Sequence, residues 1–387
     1  MSRSRDLADL GGVTTRLDQV GNSEGALSNR NMVLNGSMAV AQRATSVTGL
    51  GGNADAYNTL DRFKLSAEGS MAGRLTMSKT ADGPNGISAN CLKLDCTTAD
   101  TSIAAGEALI LSTYLEGQNV QRLGKGIAGA KQSVISFYVK ASSSLTFAIE
   151  LFDGDNARHI VKLFTATTGW NRIEFNIPAD EDDGSSALDD DNAASLYINF
   201  WLHGGSTFTG GTLATAWANK TNNNTRAAGI DSFFSSTDNN FFLTGLQFEL
   251  GTATPFEHIS FGDQLQKCQR YFQRLEWKGG NTIVAQAYSD TSGICGLDYT
   301  RKRAEPTFTL PTATSGTNQA NGISFLTAAG SYRGGTGTVT ASHISRDSCR
   351  INFSNWASSG AAGDATWAYF TSNDSSDTCF IHIDAEL

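Results

Sequence analysis

The chain has 387 residues, a formal net charge of −9 and only 17% charged residues. This length predicts two or three domains, and the acidic balance excludes a general basic nucleic-acid-binding protein. The 40 glycines and 21 phenylalanines accompany many small polar residues, a composition typical of β-sheet with polar loops.

Residues 1–28 are polar and contain no strand pattern. Their apolar side chains step by three and four residues, which is the spacing that packs helices together in coiled coils. The run is too short for an autonomous helix, and Gly11 and Gly12 weaken it further. A frayed terminus is one interpretation. We favour a docking segment that contacts another protein through five apolar side chains, Leu7, Leu10, Val13, Leu17 and Val20.

Residues 29–258 carry apolar side chains at every second position, as strands with one buried face do. In Ser133–Lys140 this repeat places Ile135, Phe137 and Val139 on one face. The same alternation recurs in Leu145–Phe152, Trp170–Ile177, Leu196–Leu202 and Phe241–Leu250. Turns rich in Gly, Asn and Asp separate these runs, and no helices alternate with them. We therefore predict an antiparallel β-sandwich over 29–258.

Residues 259–280 combine a helix start, a helical repeat and a helix stop. Ser260 and Asp263 match the S-x-x-D pattern of a capped N-terminus, and a pair of glycines ends the pattern. Between them, apolar side chains recur at helical spacing, at Leu265, Cys268, Tyr271 or Phe272, and Leu275. We therefore predict a connecting helix over Ser260–Trp277.

Residues 281–387 return to short runs with strand alternation, separated by long loops of Gly, Ser and Asn. These runs are Asn281–Tyr288, Pro306–Leu310, Gly337–Ser342, Cys349–Phe353 and Thr378–Asp384. About a hundred residues suffice for a domain. We predict a second, smaller β-sandwich here, so that the whole chain is mainly β.

The sequence contains no assembled catalytic motif. Its five histidines are scattered without the spacing of a metal site, and no G-x-S-x-G elbow occurs. Glu249 and Glu257 form the one carboxylate pair that we considered for sugar cleavage, and we interpret them as solvated ends of a strand and a loop. We therefore predict that the protein is not an enzyme and needs no cofactor.

The runs Asp180–Asp183 and Asp189–Asp191 are dense in the oxygen ligands that Ca²⁺ prefers. Neither follows the spaced pattern of a calcium loop, so we favour solvated acidic loops, with bound Ca²⁺ as the alternative. The six cysteines have no C-x-x-C spacing, and we expect them to be buried and unpaired. Because neither a secretory signal nor an apolar run of about 20 residues is present, we expect folding in a reducing cytosol and no membrane insertion.

Aromatic rings mixed with amide side chains are the remaining functional candidates. Rings combine a large apolar area with a low ordering cost, which favours recognition. One stretch with this mixture lies near residue 200 and another near the C-terminus. The candidate glycan contacts are Trp201, His203, Trp217, Asn222, Trp356, Trp367 and Tyr369. The alternative is that most of these rings fill the cores.

Ten short segments form a recognisable series along nearly the whole chain, in a fairly specific order. They are Ser4–Leu10, Asn31–Met38, Gln42–Arg43, Asp61–Phe63, Thr167–Trp170, Thr244–Gly251, Ala253–Glu257, Cys268–Phe272, Arg303–Thr307 and Ile383–Leu387. This series resembles the motifs of tail fibres and tail-associated proteins of bacteriophages.

The resemblance implies a structural virion protein of the tail, assembled in the host cytoplasm, with a jelly roll similar to carbohydrate-binding modules over 29–258. It implies a homotrimer that is anchored in the tail by its N-terminus and that attaches to host surface glycan. A polysaccharide-cleaving tailspike is an alternative, although the parallel β-helix repeat of such enzymes is absent. A head decoration or tail adaptor protein without glycan contact is the other alternative.

Overall fold

The computed structural model of the protein describes residues 29–181, 186–221, 223–313, 322–326, 337–355, 363–371 and 378–387. The predicted docking segment 1–28 with its five apolar side chains lies outside the described residues, as do Asn222 and Trp356. The chain divides into two compact units, one ending at Gln264 and the other beginning at Leu265. Among the described residues, no helix is long and apolar enough to span a bilayer.

The first unit contains thirteen described strands and a few short helical turns. In chain order the strands are β1 (Ser46–Gly51), β2 (Asp55–Ala56), β3 (Lys64–Glu68), β4 (Arg74–Thr80), β5 (Cys91–Thr98), β6 (Ala108–Glu116), β7 (Ser133–Ala141), β8 (Leu145–Asp153), β9 (Arg158–Ala166), β10 (Asn171–Ile177), β11 (Ala194–Gly204), β12 (Ala218–Asn219) and β13 (Asn240–Leu250). The turns are α1 (Gly117–Val120), α2 (Ser206–Thr209) and three 3₁₀ turns, Gln121–Leu123, Asn223–Thr225 and Phe233–Ser235.

These strands form two sheets in which every pair is antiparallel. The first sheet has the spatial order β1-β4-β5-β13-β7-β10, and the second has β12-β9-β8-β11-β6-β3-β2. After β5 the chain passes repeatedly from one sheet to the other. Such crossings distinguish a jelly roll from a simple meander. The predicted sandwich is therefore confirmed.

The core of the first unit lies between the two sheets and is rich in phenylalanine. Phe137 of β7 contacts Phe200 of β11 edge to face, with ring centroids 5.1 Å apart. Phe147 of β8 contacts Phe241 of β13 in the same way at 5.6 Å. Each of these side chains is fully buried, and burial of such a ring stabilises the fold by about 2–3 kcal/mol. The period-two repeat thus places these side chains between the sheets.

The connecting helix is shorter than predicted. Helix α3 covers Phe261–Gln269 and begins with the expected cap, in which Ser260 Oγ accepts a hydrogen bond from the Asp263 N–H at 3.2 Å. The prediction of helix up to Trp277 is wrong, because the chain turns after Gln269 and enters strand β14 (Phe272–Lys278). That segment pairs residue by residue with Thr378–Asp384, a partner that lies a hundred residues away in sequence.

The second unit contains ten described strands. After β14 they are β15 (Thr282–Ala287), β16 (Gly293–Asp298), β17 (Thr307–Thr309), β18 (Thr312–Ala313), β19 (Gly322–Leu326), β20 (Thr338–Ser342), β21 (Ser348–Ser354), β22 (Ala365–Thr371) and β23 (Thr378–Asp384). One sheet has the order β14-β23-β17, and the other has β18-β19-β22-β15-β16-β21-β20. Only the short β18–β19 pair is parallel among the described pairs.

The core of the second unit joins its two sheets. Ile351 and Phe353 of the larger sheet share one buried cluster with Ile381 and Ile383 of the smaller sheet. Hence the second, smaller sandwich is confirmed, and the chain as a whole is mainly β as predicted. All six cysteines of the chain are buried thiols, in agreement with the expectation from their spacing.

Candidate functional site

Three aromatic rings form a row across the outer face of the second sheet of the first unit. Tyr197 of β11 lies directly opposite Tyr114 of β6 on one side and Phe152 of β8 on the other. The ring centroids are 4.6 Å apart for the two tyrosines and 5.5 Å apart for Tyr197 and Phe152. All three rings are half-buried. We call Tyr114, Tyr197 and Phe152 the aromatic row.

Another part of this sheet face is covered by the chain itself. The segments 206–221 and 223–230 lie over the part of the face that carries Trp201 and Val161. Phe208 packs on Trp201 with ring centroids 5.2 Å apart, and Ala227 joins the same buried cluster. The aromatic row lies beside this cover, and its rings keep part of their surface accessible.

The Tyr114 end of the row carries a neutralised cation. The ammonium nitrogen of Lys64 lies 5.7 Å from the Tyr114 ring centroid and 2.9 Å from a carboxylate oxygen of Asp55. Burial alone lowers the pKa of Lys64, but the hydrogen bond to Asp55, the interaction with Tyr114 and the charge of Asp55 together outweigh burial and raise the pKa above its ordinary value. Lys64 is therefore a charged, paired side chain at this end.

The Phe152 end carries two cations on one ring. Lys220 Nζ and Arg226 Cζ each lie 5.3 Å from the Phe152 centroid, within the range of cation–π attraction. Arg226 Cζ also lies 4.6 Å from the centroid of the buried Trp201 ring. The guanidinium is therefore held at the boundary between the cover and the aromatic row.

A buried carboxylate fixes this guanidinium from beneath. Glu150 on β8 accepts hydrogen bonds from Arg226 Nε and Nη2 at 2.8 Å each, and it pairs with His159 Nδ1 at 2.8 Å. The Asn199 amide and the Trp201 indole N–H each donate to it at 3.0 Å. Burial opposes ionisation of Glu150, but Arg226, His159 and Trp201 lower its pKa to about 2.

The two tyrosines supply hydroxyl groups beside the apolar rings. Burial raises the pKa of both Tyr114 and Tyr197 above the ordinary value of 10, so both are neutral donors at pH 7. The Tyr197 ring lies against the backbone of Gly154, where a Cβ atom would overlap it. A glycine in the β8–β9 turn therefore permits this ring position.

Trp201 and His203 are not surface residues, which corrects their choice as candidate glycan contacts. Both are fully buried on β11. The Trp201 side chain lies under the cover and donates to Glu150. His203 Nδ1 lies 2.7 Å from Ser232 Oγ, and burial lowers the pKa of its imidazole. Both were chosen because aromatic and amide side chains are mixed in this stretch, and that mixture does not reveal that the chain folds over them.

The remaining candidates lie apart from the aromatic row. Trp217 is half-buried, donates to the carbonyl of Pro178 at 3.0 Å and lies under the Lys125 ammonium, 4.7 Å from its ring centroid. In the second unit, Trp367 and Tyr369 are two residues apart on β22 and share its outer face. Trp367 is 42% exposed, and Tyr369 is half-buried.

None of the three rings of the aromatic row is among the candidates that the sequence predicts. Tyr114, Phe152 and Tyr197 come from strands that are 38 or more residues apart in sequence, and strand register alone brings them together. One of the three rings could nevertheless have been found from the sequence. In Leu196–Leu202 the alternate residues Leu196, Ile198 and Phe200 face the core, so Tyr197 between them must lie on the outer face.

The acidic runs do not form a recognisable cation site in the described part of the chain. Asp180 is buried between Arg158 Nη2 at 2.8 Å and Lys125 Nζ at 3.0 Å. Asp182 and Asp183 lie outside the described residues. No group of three or more His, Cys, Asp or Glu side chains that could hold a metal occurs among the described residues. Solvated acidic loops, with bound Ca²⁺ as the alternative, therefore stay a prediction.

No family model matches the chain, and no curated protein matches it. Among solved structures, it is similar to the enzymatically active domain of bacteriophage CBA120 tailspike protein 4, with 11% identity, a TM-score of 0.30, and coverage of 57% of this chain and 22% of that one. A CBM4 module matches with 10% identity, a TM-score of 0.29, and coverage of 56% and 98%. The family 11 carbohydrate-binding module from Clostridium thermocellum matches with 16% identity, a TM-score of 0.25, and coverage of 56% and 99%. These values identify neither a family nor an activity.

Proposed function

We propose that the first unit is a glycan-binding module of a bacteriophage tail fibre and that host surface glycan lies on the aromatic row. The observation that carries this proposal is the alignment of Tyr114, Tyr197 and Phe152 on an open part of a sheet face. Aromatic rings offer broad apolar surfaces with a polar tip at each tyrosine. The apolar C–H faces of sugar rings pack against such surfaces, and their hydroxyls need the hydrogen-bonding groups beside them.

A network of buried polar side chains lies beneath the row. Ser112 Oγ donates to Asn199 Oδ1 at 2.7 Å, and Asn199 donates to Glu150. This chain of bonds orients the polar floor next to Tyr197. Because few side chains here need to be ordered on binding, the loss of conformational entropy is small.

The attribution to a phage tail rests on the sequence motifs that resemble tail fibre proteins. In this proposal residues 1–28 dock on a tail protein, three copies assemble, and the protein is part of the virion after assembly in the host cytoplasm. Three linked modules turn weak individual contacts into firm attachment. The proposed partners are therefore a tail protein, two further copies of the chain and a host glycan.

The proposed activity is binding without cleavage. A glycosidase needs a carboxylic acid that still carries its proton at working pH. Burial raises the pKa of Asp155 near Tyr197, but this carboxylate already accepts a hydrogen bond from the Asp189 N–H. Glu150, beneath the Phe152 end of the row, has a pKa of about 2 and is hydrogen-bonded to Arg226. It therefore suits the role of an anchor for the guanidinium.

The direct test replaces a ring of the row. We expect Tyr197→Ala to weaken binding to the glycans that the wild-type chain selects on a bacterial glycan array by about tenfold or more. Tyr138→Ala is the matched control, because Tyr138 is a half-buried tyrosine on the first sheet. Equal loss in both variants, or no loss in either, would contradict this site.

The same glycans distinguish the alternative roles. Release of reducing ends during incubation would indicate a cleaving tailspike. Absence of binding, together with density for the protein on the phage head, would indicate a decoration protein.

A further inference from the structure

We infer that the glycan bound on the aromatic row is acidic and that Lys220 and Arg226 hold its negative group at the Phe152 end. This inference rests on the proposed function and adds the chemical class of the ligand. It follows from the unequal distribution of charge along the row.

At the Tyr114 end, the positive charge is already neutralised within the protein. Lys64 is paired with Asp55 at 2.9 Å, and Ser66 Oγ donates to the same carboxylate at 2.6 Å. An anionic ligand would have to displace Asp55 there. This end therefore suits uncharged hydroxyl groups.

At the Phe152 end, Arg226 retains hydrogen-bonding capacity. Its Nε and Nη2 are used by Glu150, but Nη1 makes no hydrogen bond to any described residue. The Glu150 side chain is fully buried, whereas 14% of the Arg226 side chain is exposed. The guanidinium therefore offers a fixed donor toward solvent, while its carboxylate partner cannot reach the ligand.

Lys220 adds a positive charge that no described residue neutralises. Its ammonium has no ion pair or hydrogen bond within the described parts of the chain, although it lies 5.3 Å from the Phe152 centroid. Its backbone is fixed, because the Lys220 N–H donates to the carbonyl of Ala157 at 2.7 Å. Two donor-only groups thus converge on one ring, where a carboxylate or phosphate on a sugar would receive charge-assisted hydrogen bonds.

A carboxylate in the β8–β9 turn adds negative charge beside the middle of the row. Asp155 follows Gly154, whose backbone lies against the Tyr197 ring, and the Asp155 carboxylate accepts a hydrogen bond from the Asp189 N–H at 3.0 Å. This charge disfavours an anionic group placed on Tyr197 itself.

The test uses the full chain and a panel of bacterial polysaccharides that contain hexuronic acid or sugar phosphate. Each is presented in native form and after its charge is removed, by reduction of the carboxyl groups or by dephosphorylation. We expect the wild type to bind a native polysaccharide at least about tenfold more tightly than its uncharged form, since a charge-assisted hydrogen bond has this magnitude. Added salt should reduce the preference.

Three variants test the acidic ligand independently of glycan binding itself. Lys220→Ala should abolish the preference for the native form, whereas Tyr197→Ala should weaken binding to both forms. Lys93→Ala, on the first sheet, is the matched control and should change neither. If the wild type binds both forms equally, or if Lys220→Ala keeps the preference, the acidic ligand is refuted while the proposed function stands. If the wild type binds no native or uncharged polysaccharide, both fail.

Discussion

Glu150 determines the chemistry of the candidate site although no ligand could touch it. Removing a carboxylate from water costs several kcal/mol, and the cost is recovered only when hydrogen bonds and opposite charge surround it. Arg226, His159, Asn199 and Trp201 supply these contacts. The same contacts fix the guanidinium that borders Phe152. Stability and site geometry therefore depend on one side chain.

Acid should destabilise the first unit through Glu150. The folded pKa of about 2 lies below the ordinary value of 4.5, so the stabilisation is fully present above pH 4.5 and is lost as the pH falls toward 2. The difference corresponds to about 3 kcal/mol. We expect Glu150→Gln to lower the free energy of unfolding by about that amount at pH 7, measured by urea denaturation, and to flatten its decline between pH 5 and pH 2.

Glu68→Gln is the control for this prediction, because Glu68 is exposed on β3 of the same sheet. It should change the free energy of unfolding by less than about 0.5 kcal/mol. If the wild type and Glu150→Gln declined equally steeply in acid, Glu150 would not be the group that titrates.

At the scale of elements, strand β14 is where the local pattern and the long-range pairing disagree. Leu265, Cys268, Tyr271 and Leu275 fit helical spacing, so the sequence predicts a helix through this segment. The stretch from Phe272 to Lys278 instead supplies a partner for β23. The spacing of apolar residues within this segment contains no information on a strand a hundred residues away. The backbone hydrogen bonds to β23 decide that the segment forms a strand and not a helix.

The strand pairing gives Trp277 a specific contact. Its ring stacks on Phe370 of the opposite sheet, with centroids 4.3 Å apart and planes within 5°. We expect Trp277→Ala to lower the free energy of unfolding of the second unit by about 3 kcal/mol, because a ring contact between the sheets is replaced by a cavity. Calorimetry of the full chain measures this change.

Trp367→Ala is the matched substitution, since Trp367 lies on the outer face of β22 and is 42% exposed. It should cost less than about 1 kcal/mol. Similar losses in the two variants would mean that Trp277 does not join the sheets.

The inner faces of the strands were predictable from sequence, whereas the site was not. Ile135, Phe137 and Val139 alternate because one face of β7 is buried, and that alternation is visible in any single strand. The aromatic row needs the register of β6, β8 and β11, which depends on sheet order. Trp201 illustrates the same difficulty. The alternation within its strand predicts an outward side chain, but it does not predict the loop that covers this side chain.

At the scale of the whole molecule, the first described residues are hydrogen-bonded to the last strand of the first unit and to the segment that follows it. Asn31 Oδ1 accepts hydrogen bonds from the N–H groups of Phe248 at 3.0 Å and Val33 at 2.9 Å. Its amide donates to the Leu246 carbonyl at 3.0 Å, and its own N–H donates to Glu257 at 2.8 Å. The chain that enters this unit is therefore tied to the strand that ends it, and this tie begins immediately after the proposed docking segment.

Two truncations that differ by five residues should separate docking from folding. A chain that begins at Asn29 keeps the Asn31 contacts, so we expect its melting temperature and its glycan binding to equal those of the full chain. A chain that begins at Leu34 loses Asn31 together with the buried Met32 and Val33, and we expect it to lose about 3 kcal/mol or more of stability. In the phage, the first truncation should fold and bind glycan but fail to enter particles. Normal incorporation of the chain that begins at Asn29 would refute residues 1–28 as the docking segment. An unchanged melting temperature of the chain that begins at Leu34 would refute the role of Asn31.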